Sequence, residues 1–236
     1  MRKKEIFLTI ILIQTLIFPS VASAFSIAVI SDIHADSYKK INNRENNIIY
    51  PKNYKRCLNK IKKSKPDLVI ATGDLVNRGQ KKYYKKLQEI MRGTQTLWVK
   101  GNHDSKNFKY LAPDNYYVDY ENWRFIALDS SEKFGSLTGY LEKFQISLLN
   151  EWLETDKNIA IAMHHPPFFY NSRNGIYTSN KIPLYEDFFK ALTPNVRYVF
   201  TGHWHFDQRT EINSIIFLTQ KALTQGNRCN YINLNL

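Results

Sequence analysis

Acidic residues are scarce in this chain. It has 21 Asp and Glu against 33 Lys and Arg, a formal net charge of +12 over 236 residues. That balance disfavours cationic partners and favours phosphates, nucleic acid or acidic membrane surfaces. Cysteine is nearly missing: Cys57 and Cys229 are the two present, and neither has zinc-site spacing, which argues against a thiolate-held metal. In an oxidising compartment they could pair; two isolated buried thiols are the alternative, and the sequence leaves both open. Past the first twenty or so residues, no apolar run is long enough to span a bilayer. There is no internal repeat, low-complexity tract or linker, so repeat arrays and disordered tails are set aside.

What is present suits one domain with a sizeable core. Hydrophobic residues make up 43% and charged residues 23%, ordinary values for a globular chain. The first 24 residues read as a secretory signal: basic Arg2, Lys3 and Lys4, an apolar run from Ile6 to Phe18, and small residues at Ala22-Ser23-Ala24. The run is short for a membrane span, and no cysteine follows it to carry a lipid. The expected product is an exported protein, periplasmic or secreted, of residues 25–236, with no transmembrane span after cleavage. Many lysines fall on helical stretches (Lys60, Lys62, Lys63 and Lys65; Lys81, Lys82, Lys85 and Lys86), and solvated helix faces account for much of the charge.

Strands and helices alternate along the rest. Apolar strands are expected over 25–31, 68–72, 96–99, 159–163 and 196–201, with helices over 54–63, 80–91, 144–153 and 185–192. A hairpin is expected over 116–120 and 124–128, and closing strands over 214–219 and 230–235. The longest irregular piece is roughly 166–183, where Phe168, Phe169 and Tyr170 read as loop packing rather than a stacking surface. Each of the five apolar strands runs into a polar motif: Asp32-Ile33-His34, Gly73-Asp74, Gly101-Asn102-His103-Asp104, His164-His165 and Gly202-His203-Trp204-His205. All six histidines lie in these motifs. In open α/β sheets, ligands gather beyond the carboxyl ends of the strands, so this order brings distant residues to one rim. Singly, each motif is no more than a turn or a polar loop; five in series, each at a strand end, point to metal chemistry.

The ordered set D-x-H, GD, GNHD, H and GHxH resembles the calcineurin-like metallophosphoesterase superfamily. The likeness runs from Asp32 to His205, about three quarters of the chain, and is greatest to the class III, cyclic-nucleotide-type phosphodiesterases. It implies an α/β fold, a four-layer α/β/β/α sandwich of mixed sheets, and two divalent or trivalent metal ions (Fe, Mn or Zn). Asp32, His34 and His205 are then ligands of the first metal, Asn102, His164 and His203 of the second, and Asp74 bridges both. Oxygen and imidazole donors of this kind suit such ions. The family ligand lies two residues before a proline, which selects His164; His165 is left near the site or the substrate. His103 is implied to be the catalytic group that stabilises charge or protonates the leaving oxygen. Asp104 is expected to accept a hydrogen bond from the other ring nitrogen of His103. In His203-Trp204-His205, an extended backbone would send both rings to one face, whereas a turn at Gly202 would give each metal one ring.

The implied activity is hydrolysis of a small phosphate ester, a phosphodiester such as a cyclic nucleotide. Water activated by the two cations would attack in line with the leaving alkoxide. A phosphomonoesterase, a phosphoprotein phosphatase or a nuclease are rivals, nucleic acid being the less favoured substrate because extra binding regions are missing. A non-catalytic scaffold on the same fold would normally lack the histidines found here. One departure is Asn77, where many relatives carry a second aspartate after GD; Asp104, where protein phosphatases carry Glu, leans toward phosphodiesterases.

Overall fold

The computed structural model describes residues 25–35, 41–42, 48–131, 139–171, 175–177 and 184–236. The expected signal segment, 1–24, lies outside these residues. Strand β1 (Ser26–Ile30) opens the chain, followed by a short antiparallel pair, β2 (Ile41–Asn42) and β3 (Ile48–Ile49). Next come α1 (Tyr54–Lys63), β4 (Leu68–Thr72), α2 (Lys81–Ile90), β5 (Thr96–Val99) and a 3-10 turn over Lys106–Tyr110. The second half holds β6 (Tyr116–Tyr120), β7 (Trp123–Leu128), α3 (Lys143–Leu153), β8 (Asn158–Met163), β9 (Phe169–Asn171) and β10 (Gly175–Tyr177). It closes with α4 (Leu184–Ala191), β11 (Val196–Thr201), β12 (Gln208–Ile212), β13 (Ile215–Thr219) and β14 (Ile232–Asn235).

Two mixed sheets form. One has the order β14-β1-β4-β5, the other β12-β13-β11-β8-β7-β6. Strands β1, β4 and β5 run parallel, as do β7, β8, β11 and β13, with antiparallel strands at the remaining edges. The period-2 alternation of each strand divides its side chains between two cores. In β1, Ile27 and Val29 point inward and meet Phe125, Ala160 and Phe200 of the other sheet. Ala28 and Ile30 point outward and pack under α1 and α2 with Leu58, Ile61, Tyr84 and Leu87. On the far side, Ile126, Ile159, Ile161 and Val199 are covered by α3 and α4 through Leu149, Leu153 and Phe188. Four layers result, α/β/β/α. Each fully buried large side chain such as Phe125 or Phe200 contributes about 1.5–3 kcal/mol.

The two cysteines are joined. Cys57 on α1 forms a disulfide with Cys229, just before β14, across a separation of 172 residues. In the stretch read as irregular, β9 and β10 pair as a small hairpin, and Phe168 is buried against Phe217 with ring centroids 5.1 Å apart. Strand β12 was not expected. It pairs with β13 across Asn213-Ser214, both with left-handed backbone (φ 50° and 64°), the geometry of a tight hairpin. Among the described residues no helix is long and apolar enough to cross a membrane.

Candidate metal centre

The parallel strands of both sheets end on one rim, and the five motifs meet there. Asp32, His34, Asp74 and His205 bring one donor atom each to within 4.8 Å of one another. His164, His165 and His203 form a second such group. Asn102 joins that second group: its Oδ1 lies 3.0 Å from His164 Nε2 and 3.1 Å from His203 Nδ1. Asp74 stands between the groups. Its Oδ1 is 3.3 Å from His164 Nε2, and its Oδ2 is 3.9 Å from His34 Nε2.

The local backbone explains how such close approach is reached. Asp32, His34, Asp74, His203 and His205 all have positive φ, between 46° and 68°. Non-glycine residues rarely adopt that region, and strain of this sort collects at functional sites. Each bend turns a side chain off its strand axis and into the rim. The chain also bends at His164-His165, so these rings do not face opposite ways as extended backbone would require. They meet edge to face with centroids 5.0 Å apart, and His165 comes within 4.4 Å of His203. The bends at 203–205 likewise separate His203, beside Asn102, from His205, whose Nε2 lies 2.9 Å from Asp32 Oδ1.

Two features fit a cation. First, His34 is buried and neither ring nitrogen has a hydrogen-bond partner, a costly state for a polar group without a ligand. Burial outweighs the neighbouring Asp74 charge and brings this imidazole down to about 4, leaving it neutral, the ligating form. Second, His164 Nδ1 lies 2.7 Å from the carbonyl of Thr72. A carbonyl only accepts, so Nδ1 carries the proton and Nε2 presents its lone pair toward the oxygens of Asn102 and Asp74. Acceptors converging on a lone pair call for positive charge between them. The same demand shows in the ionisation of the groups. Against the opposing effect of burial, Asp74 pushes His164 up to about 9, and Asp32 raises His205. Burial opposes ionisation of Asp32 too, yet His205 holds it at about 2; His164 holds Asp74 well below the usual carboxylate range.

Residues 25–207 match the family model described as calcineurin-like phosphoesterase. The chain belongs to the calcineurin-like phosphoesterases. Such proteins are hydrolases of phosphoester bonds that use divalent metal ions. A 3',5'-cyclic-nucleotide phosphodiesterase of Nostoc sp. is 29% identical over 209 residues, 82% of this chain and 76% of that protein. A 3',5'-cyclic adenosine monophosphate phosphodiesterase of Pseudomonas aeruginosa is 30% identical over 156 residues, 61% of this chain and 56% of that protein. In fold, the chain is similar to a dimetal phosphatase from Danio rerio, with a TM-score of 0.68 at 14% identity, covering 91% of this chain and 93% of that one.

In this phosphoesterase, His103 sits beside the first group, its ring edge to face with His34 at 5.3 Å. Its backbone N–H donates to Asp74 Oδ1 at 2.9 Å, so the GNHD loop is tied directly to the central aspartate. Asp104 departs from expectation. Its carboxylate does not serve the His103 ring: Oδ1 accepts from Val76 N and Tyr84 Oη, and Oδ2 from Leu75 N and Gly101 N. Four donors fill its lone pairs, and it acts as a clamp between the loops after β4 and β5. Burial and then the Asp74 charge push this carboxyl up to about 7, against the pull of the three backbone donors. The His103 ring is anchored elsewhere, with Nδ1 3.3 Å from the carbonyl of Asn77. That contact uses backbone, so Asn in place of the family's aspartate leaves it intact.

Neighbours not singled out in the sequence complete the frame. Ser31 Oγ donates to Asp32 Oδ2 at 2.5 Å, and the His203 backbone N–H reaches the same oxygen at 3.1 Å. Ser130 Oγ lies 3.0 Å from His165 Nδ1. Adjacency to a motif marks Ser31; nothing local marks Ser130 or Tyr84. Several glycines are sterically required, Gly73 and Gly202 among them. Gly73 has φ +93°, and a Cβ there would lie 2.5 Å from His164 Nδ1; at Gly202 a Cβ would collide with Ser31 Oγ.

Proposed function

We propose that this chain is an exported dinuclear phosphodiesterase that acts on a small phosphodiester, a cyclic nucleotide being the favoured substrate. The carrying observation is Asp74, whose two oxygens are divided between two groups of donors. On this reading Asp32, His34 and His205 hold one ion, Asn102, His164 and His203 the other, and Asp74 both. Fe, Mn or Zn suits the mixed oxygen and imidazole donors. When bound, such a pair supplies Lewis-acid activation of water and neutralises charge on the phosphoryl oxygens.

The chain's own residues do the rest. His164 is locked in one tautomer by the Thr72 carbonyl, and His103 by that of Asn77, so each presents Nε2 to the site. His103 Nε2 is then the atom that exchanges a proton with the leaving oxygen. Asp104 and Tyr84 keep the His103 loop in register with Asp74. The cyclic-nucleotide assignment is supported by the activities for which the relatives are named. Export is supported by the Cys57–Cys229 disulfide, a bond typical of oxidising compartments.

Release of p-nitrophenol from bis-p-nitrophenyl phosphate and from p-nitrophenyl phosphate, with Mn added and then chelated, tests this, with cyclic AMP hydrolysis run alongside. Metal-dependent preference for the diesters is expected. Preference for the monoester would favour a phosphomonoesterase or phosphoprotein phosphatase, cleavage of DNA or RNA alone a nuclease, and no metal-dependent turnover a scaffold.

A further inference from the structure

The positive charge of this protein is not spread over it. Residues 51–110 hold sixteen Lys and Arg against four Asp and Glu, an excess of twelve that equals the net charge of the whole chain. Residues 111–236 hold eleven against thirteen. The fold gathers the cationic segment into one layer, with α1, α2 and the 3-10 turn lying over the outer face of the four-stranded sheet. Their apolar sides are buried, and Lys55, Lys60, Lys63, Lys81, Lys82 and Lys85 are exposed. Two of the four acids, Asp74 and Asp104, are buried at the rim and cannot offset this surface. Of the other two, Glu89 is paired with Lys86 at 2.8 Å, and Asp67 is hydrogen-bonded to Ser26. The opposite layer, with α3 and α4, carries Glu151, Glu186 and Asp187 and has no such excess. The molecule is thus electrically two-faced.

We propose that the α1/α2 layer is a docking surface for an anionic lipid bilayer. Lys100 is turned to Asp129, just after β7, at 2.6 Å and adds nothing to this face. Of the segment's other fifteen cations twelve are lysines, compact point charges suited to a diffuse layer of headgroups, whereas forked arginines favour fixed phosphate positions. Two helices side by side offer a broad face rather than a channel to track a nucleic-acid backbone. The tyrosines on it, Tyr83 and Tyr110, each carry a lysine ammonium against the ring, at 5.1 and 4.3 Å. Docking by this layer leaves the strand-end rim open at its side.

The test is co-sedimentation of the folded protein with phosphatidylglycerol–phosphatidylcholine vesicles and with pure phosphatidylcholine vesicles, at low and high salt. Binding to the anionic vesicles alone, suppressed by salt, is expected. Reversal of Lys55, Lys63, Lys82 and Lys85 to Glu should lower partitioning more than about a hundredfold, since each lysine near such a surface contributes about fivefold. Reversal of Lys143 and Lys190 on the opposite layer should leave it unchanged. Both variants should keep their hydrolysis of soluble bis-p-nitrophenyl phosphate, which verifies their folding. No binding to anionic vesicles, equal loss in the two variants, or tighter binding to duplex or single-stranded nucleic acid than to vesicles overturns the proposal.

Discussion

Metal-free protein should lose stability as pH rises from neutrality, and Asp74→Asn should remove most of the loss. His164 is fully buried and lies 3.3 Å from Asp74 Oδ1. Burial lowers its proton affinity, but the Asp74 charge outweighs this and carries the imidazole from an ordinary 6.5 up to about 9. A folded-state value above the unfolded one gives stability that is fully present below about 6.5 and lost as pH rises through about 9. The difference corresponds to about 3 kcal/mol. His205, raised for a like reason by Asp32, adds in the same direction. His34, held at about 4, has completed its opposite contribution by neutral pH. Urea unfolding in EDTA, at about pH 7 and about pH 9.5, should therefore differ by a few kcal/mol in the parent and much less in Asp74→Asn. With metal loaded, the proposed ligation would hold His164 as neutral imidazole, and the parent's decline over this window should vanish. Metal-free parent protein equally stable at both values, or Asp74→Asn with the parent's full decline, would refute the reading of Asp74 as the centre of the site.

Four other outcomes are expected. His103→Ala should cost about 10²–10⁴-fold in turnover while metal content by elemental analysis stays unchanged, since its ring is not assigned as a ligand. Gly73→Ala should lower stability by at least about 1 kcal/mol, because φ +93° strains any side chain and its Cβ meets His164; calorimetry and metal content should fall together. Tyr84→Phe removes one donor from Asp104 and one acceptor from the Ser105 N–H, and should cost about 1–3 kcal/mol in urea with a smaller effect on turnover than His103→Ala. Replacing Cys57 and Cys229 by Ala should cost about 2–5 kcal/mol, given a closed loop of 172 residues, read as a lower urea midpoint.

Much of the architecture was legible because its strands are buried on both faces and read as short apolar runs. Leu68–Thr72, Thr96–Val99 and Val196–Thr201 keep the expected bounds. Strand β12 escaped because it is an edge strand whose Gln208, Arg209, Thr210 and Glu211 carry no apolar run; Asn213-Ser214 was the available sign. The meeting of the motifs was legible from their common location at strand ends. The contact of His165 with His203 was not, because the bend at 164–165 is set by the packing around it and not by adjacent sequence. Asp104 was misjudged for a related reason. Its partners Leu75, Val76 and Tyr84 lie 20 to 29 residues away, and only the fold brings their donors to one carboxylate. The disulfide needed the same long-range geometry.

That bond reaches further than its position suggests. Next to Cys229, Asn230 donates its backbone N–H to the Leu223 carbonyl and its side-chain amide to the carbonyls of Ala222 and Gln225; Leu223 in turn donates to the Ser31 carbonyl, one residue before Asp32. The C-terminal segment therefore buttresses the first motif from behind. Enzyme made in a reducing host, or purified with thiols in the buffer, should keep its sheets yet grip its cations loosely, and preparations that differ only in redox history should differ in metal stoichiometry after dialysis.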